Sequence, residues 1–213
     1  LQHVALLPGI ERSVIIGIFC EQPQRLFFIA VNRLEDVQAI RTAAFHPSGR
    51  FYAVGTNSRQ LHICRYPVFH CVLHRPLAAK SQMVLSRPKQ HRGSVYCTSF
   101  NPTGELLATG SNDKTIRLMH FHAENCNIDV EHELAIHDGT VRDLIFMEDT
   151  SNHTSFGTSI RELTGHTAPV LGLYTWGGCI FVSCSQDKTI RFWDLRCDQA
   201  VNMIAPGSKS CSK

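Results

Sequence analysis

The chain has 213 residues, 43% of them hydrophobic, 8% aromatic and only 18% charged, enough apolar material for a sizeable core and too much for a disordered chain. Twenty-one Lys and Arg against eighteen Asp and Glu leave a net charge of +3 with the basic residues scattered, which excludes a strong electrostatic claim on nucleic acid or membrane. The nine cysteines lack the short paired spacing of a zinc site and several sit in apolar runs, so a reducing, intracellular compartment is expected.

No cleavable signal peptide is recognisable, the apolar run 14–20 is far shorter than the roughly 20 residues that cross a bilayer, and the opening at Leu1 rather than Met reads as a fragment. In chain order, two apolar strand candidates, 13–20 and 25–31, flank Glu21-Gln22-Pro23-Gln24 and read as a hairpin. Ile40 to Cys64 follows, with alternating apolar residues around the turn His46-Pro47-Ser48-Gly49. Proline fixes φ at the second turn position and glycine accepts positive φ at the fourth, so this tetrapeptide closes a tight turn between antiparallel strands. A long connection, 67–90, contains a further outer-strand candidate at 82–86.

The stretch from His91 repeats the pattern, with Val95, Phe100, the turn Asn101-Pro102-Thr103-Gly104 and then Asp113-Lys114-Thr115-Ile116-Arg117. Asp187-Lys188-Thr189-Ile190-Arg191 repeats the last five residues outright. The offsets from 91 to 166 and from 113 to 187 are 75 and 74 positions, about two units of the four-strand propeller repeat. The intervening unit opens at His137-Asp138-Gly139-Thr140-Val141 with the same spacing from His to Val and from Val141 to Phe146. It is short: only 29 positions separate 137 from 166, so its two middle strands are expected to be missing, with 159–164 as an outer strand. Residues 197–213 are rich in Ser, Lys and Gly and read as a disordered tail.

These repeats resemble the WD-repeat family, with His166, Asp187 and Trp193-Asp194 matching its histidine, turn aspartate and closing dipeptide. The resemblance implies an all-β, WD40-type β-propeller over 1–196, incomplete at about five blade equivalents, with repeats near 36–66, 91–121, 137–163 (truncated) and 166–195. It also implies a buried hydrogen-bond network of His166, Ser183, Asp187 and Trp193, matched in the preceding copy by His91, Thr109 and Asp113. Met119 stands where that copy's tryptophan belongs, and the Ile40 copy has Asp36, Ser58 and Cys64 at the corresponding places. Those blades are expected to rely on packing. More narrowly, 37–195 is similar to the C-terminal propeller of a microtubule-associated member of the family.

That resemblance implies a non-catalytic interaction scaffold, without cofactor, in the cytoplasm and on the cytoskeleton. Its partners would be other proteins, tubulin, microtubules or microtubule-associated proteins among them. Lys80, Arg87 and Lys89, with Lys114, Arg117, Lys188 and Arg191 nearby in the pattern, are candidates for a partner-binding rim; solvated turn charges are the plainer alternative. A metal-binding or enzymatic domain built on His62, Cys64, His70, Cys71 and His74 is a second reading, although their spacing fits no zinc pattern. A truncated product without independent activity is a third. Ser111 to Lys114 and Ser185 to Lys188 match the Ser-x-x-Lys pattern of acylating enzymes, but sit at repeat-locked turns rather than one helical turn apart. No catalytic residue is assigned.

Overall fold

A computed structural model describes residues 2–5, 13–22, 25–66, 79–147 and 161–206, with 2–31 and 79 described by their backbone alone. The described residues contain strands and no helix, hence no helix long and apolar enough to cross a membrane. The first sheet comprises β1 (Gln2–Ala5), β2 (Ser13–Gln22), β3 (Arg25–Glu35) and β7 (Ala79–Lys80), in that order. Its β7 runs parallel to β3, whereas all other pairings are antiparallel. The second sheet is β4 (Ile40–Phe45), β5 (Phe51–Thr56), β6 (Leu61–Arg65) and β8 (Gln82–Arg87). The third is β9 (Val95–Phe100), β10 (Leu106–Ser111), β11 (Ile116–His122) and β12 (Asn127–Leu134). The fourth is β13 (Val170–Thr175), β14 (Ile180–Ser185), β15 (Ile190–Asp194) and β16 (Asn202–Ile204). The second, third and fourth sheets, antiparallel throughout and each built from one stretch of chain, are propeller blades.

The turns follow from their residues. Gly49 and Gly104 adopt φ of 69° and 84°, and their amides close onto His46 O and Asn101 O at 2.9 and 3.0 Å. Gly104 is required twice over, because a Cβ there would also lie 2.2 Å from Nε2 of His46. The opposite turns of the second, third and fourth sheets place Arg59, Lys114 and Lys188 at φ of 66°, 73° and 67°.

Every residue of β5 is buried, because this strand is covered on both faces. Tyr52 and Val54 join Leu34, Ile40, Cys64 and Tyr66 on one side. Phe51 and Ala53 join Leu61 and Ile63 against Phe100, Leu107, Met119 and Phe121 of the third sheet on the other. His46 plugs the end of that seam, its ring edge-on to Phe51, Phe100 and Phe121, with Nε2 on the Gly104 carbonyl at 3.0 Å and Nδ1 on the Ser48 hydroxyl at 2.8 Å. At the inner edge, Val95 fits over Gly55, where a Cβ would approach its Cγ1 to 2.6 Å. Val141 fits over Gly110 in the same way and at the same distance.

Two stretches differ from the sequence expectation. Residues 197–213 are not a tail throughout: Asn202–Ile204 forms the edge strand β16, since the run Val201-Asn-Met-Ile204 can pair with β15 and the Val201 amide reaches Phe192 O at 2.8 Å. In the short repeat, residues 137–147 and 161–164 are described and none is in a strand. The expected outer strand at 159–164 is therefore absent over its described part, having no neighbouring strand to pair with. The described residues thus hold three full blades, a first sheet of three antiparallel strands with the two-residue β7 added in parallel at its edge, and a short repeat whose described residues are in no strand.

Candidate functional site

At one end of the sheets, polar side chains converge beneath the turns. In the fourth sheet, His166 Nδ1 meets Asp187 Oδ2 at 2.8 Å and Nε2 meets Ser183 Oγ at 2.7 Å; the Trp193 indole donates to the same oxygen at 2.8 Å. Asp187 also accepts from the Thr189 hydroxyl and amide and from the Thr167 amide. Burial pushes the Asp187 carboxyl up, but these donors and His166 outweigh it and hold the group far below the ordinary carboxylate range. The third sheet repeats the arrangement: His91 Nε2 on Thr109 at 2.8 Å, Nδ1 on Thr115 and Asp113 at 3.0 and 3.2 Å. Burial lowers the His91 pKa, opposed by the Asp113 charge. Burial raises that of Asp113, but Thr115, His91 and the Arg92 amide bring it down to about 2.

The second and third blades, in which no tryptophan closes the repeat, do not rely on packing alone. In the third, Met119 is fully buried and takes hydrogen bonds on sulfur from Gln90 and Arg87 at 3.2 and 3.6 Å. Glu131 on the outer strand binds Arg87 at 2.7 Å and Arg117 at 2.6 Å, and Arg117 reaches Glu133 at 2.8 Å. In the second, donor and acceptor have exchanged places. Asp36 stands where the other blades have histidine, and accepts from Ser58 at 3.1 Å and from His62 Nε2 at 3.2 Å, while His62 Nδ1 bonds Ser86 at 3.1 Å. Sequence reasoning named Asp36 and Ser58 but missed His62 as the third member. The signal was its position, two residues into the third strand, where the other copies carry Arg117 and Arg191.

His166, Asp187 and Ser183 have the distances of a base, its orienting carboxylate and a nucleophile. The hydroxyl is nonetheless 3% exposed and already accepts the Trp193 proton, so no substrate carbonyl can reach it. Ser111 and Ser185, of the Ser-x-x-Lys stretches, receive the Asp113 and Asp187 amides inside their turns.

The metal reading loses two of its members: both ring nitrogens of His62 are engaged, and burial pushes the Cys64 thiol up to about 11 despite the Tyr52 hydroxyl beside it, far from the thiolate that binds zinc. His70, Cys71 and His74 lie outside the described residues. Among the described residues no group of three or more His, Cys, Asp or Glu side chains is placed to hold a metal.

The expected rim is divided. Lys80 lies before the start of β8 and Arg87 and Lys89 at and beyond its end, so the whole of β8, roughly 17 Å long when extended, stands between them. Arg87 is engaged by Glu131, and Lys89 is exposed. The end that carries Lys89 gathers other cations instead. Arg59, Lys114 and Lys188 tip the three equivalent turns and Arg92 adjoins Lys89; all five are exposed, and none has a carboxylate within ion-pair distance among the described residues. Trp176 is 56% exposed beside Tyr174, their rings 6.1 Å apart.

Comparison with known proteins agrees with this architecture. The family model described as WD domain, G-beta repeat matches residues 82–119 and 157–194. The WD40 β-propeller domain of Doa1 superimposes with a TM-score of 0.66 at 15% identity, covering 94% of this chain and 67% of that one. Among curated relatives, protein tipD of Dictyostelium discoideum is 28% identical over 139 residues, 59% of this chain and 22% of its own length. Protein HIR1 of Kluyveromyces lactis is 23% identical over 184 residues, 72% of this chain and 21% of its own. The nuclear distribution protein PAC1 of Candida dubliniensis is 27% identical over 128 residues, 57% of this chain and 25% of its own. The chain spans about a quarter or less of the length of these relatives.

Proposed function

We propose that this chain, which carries WD40 repeats on a WD40-type propeller fold, is a non-catalytic protein-interaction scaffold whose turn-bearing end docks an acidic protein surface, that of microtubules. The carrying observation is the group Arg59, Lys89, Arg92, Lys114 and Lys188, exposed at one end of three blades while Asp113 and Asp187 there are held inside the networks. A set of cations presented by rigid turns steers and registers an anionic partner. The narrower assignment rests on two further supports. The stretch 37–195 resembles the C-terminal propeller of nemitin (WD repeat-containing protein 47), a microtubule-associated protein. Relatives at 27% and 28% identity carry the name nuclear distribution protein. On this reading the chain works in the cytoplasm, on the cytoskeleton. The fold is as a rule a scaffold rather than an enzyme.

Cosedimentation with microtubules tests the proposal. The chain is expected to pellet with them and to be released by salt. Lys89→Glu, Lys114→Glu and Lys188→Glu together are expected to abolish pelleting, whereas Lys80→Glu leaves it intact. A triple variant that pellets like the parent chain refutes the docking face.

A further inference from the structure

His46 is held from both sides of the seam between the second and third blades, at the end of the sheets opposite the basic turns. It is buried, and its ring stands edge-on to Phe51 of its own blade and to Phe100 and Phe121 of the next. Its partners fix the tautomer. The Ser48 amide, which can only donate, reaches Nδ1 at 3.1 Å, so that nitrogen carries the lone pair and the hydrogen sits on Nε2, which donates it to the Gly104 carbonyl at 3.0 Å. The Ser48 hydroxyl also donates to Nδ1, at 2.8 Å, and accepts from the Arg50 amide at 3.3 Å. The neutral ring is therefore fully engaged, one nitrogen on the turn 46–49 of the second blade and the other on the turn 101–104 of the third.

A second proton can go only to Nδ1, where it faces the Ser48 amide hydrogen. The hydroxyl can turn round and accept; the amide cannot. The charged groups around the ring, among the described residues, point the cation one way. Arg50, on the same turn, opposes a positive charge in this position, and Arg65 of β6 holds a second guanidinium 5.5 Å from the centroid of Phe51. On the third-blade side a cavity of about 280 Å³ opens beside the ring, lined by the carboxylates of Glu105 and Glu124 and by His122, which is itself paired with Asp129 at 2.8 Å. We infer that His46 is a proton-operated latch between the second and third blades: as neutral imidazole it ties the turns 46–49 and 101–104 together, and as imidazolium it leaves the seam for the cavity bounded by Glu105 and Glu124, freeing both turns while the sheets stay intact. Burial and Arg50 lower the pKa of the seated ring, against the Gly104 hydrogen bond, which raises it. A freed ring titrates at about 6.5, so opening is favoured up to about tenfold for each pH unit below that value, until the pH reaches the lowered pKa of the seated ring.

The latch goes beyond the scaffold reading and shares no residue with the basic turns, so it and microtubule cosedimentation fail independently. NMR of the histidine ring nitrogens in the full chain, together with amide exchange at pH 7.5 and pH 5.5 corrected for its intrinsic pH dependence, tests it. The hydrogen is expected on Nε2 at pH 7.5. The Gly49 and Gly104 amides, which close the two turns, are expected to lose protection several-fold at pH 5.5, by an opening too small to respond to sub-denaturing urea. His46→Gln is expected to abolish this pH dependence at the two amides. Glu105→Gln combined with Glu124→Gln, both at exposed positions, is expected to reduce the loss at pH 5.5 and to leave protection at pH 7.5 unchanged. Three results overturn the inference: a hydrogen on Nδ1 at pH 7.5, a pH dependence in either variant equal to that of the parent chain, or exchange at the two turns that rises with urea as steeply as that of β10, which would mark unfolding of whole blades.

Discussion

Replacing Gly55 by alanine sets two effects of opposite sign against each other. Gly55 is not among the glycines with positive φ, so alanine fits its backbone and by restricting the unfolded chain would add about 0.4–1 kcal/mol. Its Cβ would lie 2.6 Å from Val95 Cγ1 and 2.7 Å from Thr42 Cγ2, both on the adjoining inner strands. These are β-branched side chains on paired strands rather than flexible tips, and overpacking of this kind costs about 1–3 kcal/mol. The clash wins, and Gly55→Ala is expected to be destabilised by about 1–2 kcal/mol, about 2–8 °C in Tm for a chain of this size. Gly139→Ala is the control, since a Cβ there meets nothing within 4 Å, and is expected to shift stability by less than about 0.5 kcal/mol. Combining Gly55→Ala with Val95→Ala removes the opposing methyls, so the double variant loses less than the sum of the singles, by about 1 kcal/mol. Urea midpoints of the parent and the four variants decide the matter. A Gly55→Ala variant as stable as the parent, or strict additivity with Val95→Ala, would falsify the glycine seam.

Trp193→Phe keeps the ring stacked on Phe181 and removes the indole donor to Ser183, so a loss of about 1 kcal/mol in a urea titration is expected, and Met119→Ala, which opens a cavity under Gln90, loses about 2–5 kcal/mol. Glu131→Ala leaves Arg87 and Arg117 facing each other with one acceptor gone, and is expected to be more destabilising than Glu133→Ala, whose partner Arg117 would keep Glu131; equal urea midpoints contradict this. Stability is expected to fall with acid in two stages. His46 and His91 have lowered pKa values through burial, so below about 6.5 the unfolded chain takes up protons that the folded chain refuses, and stability drops by as much as ~1.4 kcal/mol per histidine for each pH unit. Asp113, at about 2 when folded and 3.8 when not, withdraws its contribution only as pH falls from about 4 towards 2. Equal urea midpoints at pH 7.5 and pH 5.5 would contradict the first stage.

The turns were the most legible part of the fold, because each is set by local chemistry: proline and glycine in 46–49 and 101–104, and the hydroxyl and aspartate of 111–114 and 185–188. Strands on either side of them followed. The strands that were missed are those without such punctuation. They include Gln2–Ala5 and the outer strand Asn127–Leu134, as well as Asn202–Ile204 and Ala79–Lys80, which are only three and two residues long and pair with a neighbour brought there by the rest of the chain. The network of the second blade was illegible for a different reason. Its chemistry is preserved while its residue types are exchanged, aspartate for histidine at 36 and histidine for arginine at 62, so comparing copies by identity hides it. Glu131 lies on an outer strand with no counterpart in the repeated motif, and its tie to Arg87 is a contact between blades that spacing along one chain does not encode.

Hydrogen–deuterium exchange of the free chain, read peptide by peptide, is the most direct test of a propeller in which four-stranded sheets flank a short repeat whose described residues are in no strand. Amides of β5, β6, β10 and β11, bonded on both sides within their sheets, are expected to exchange slowly, and those of 142–147 to exchange within the dead time typical of unpaired backbone. Protection of 142–147 equal to that of 106–111 would mean that these residues lie in a paired strand, and would contradict the account.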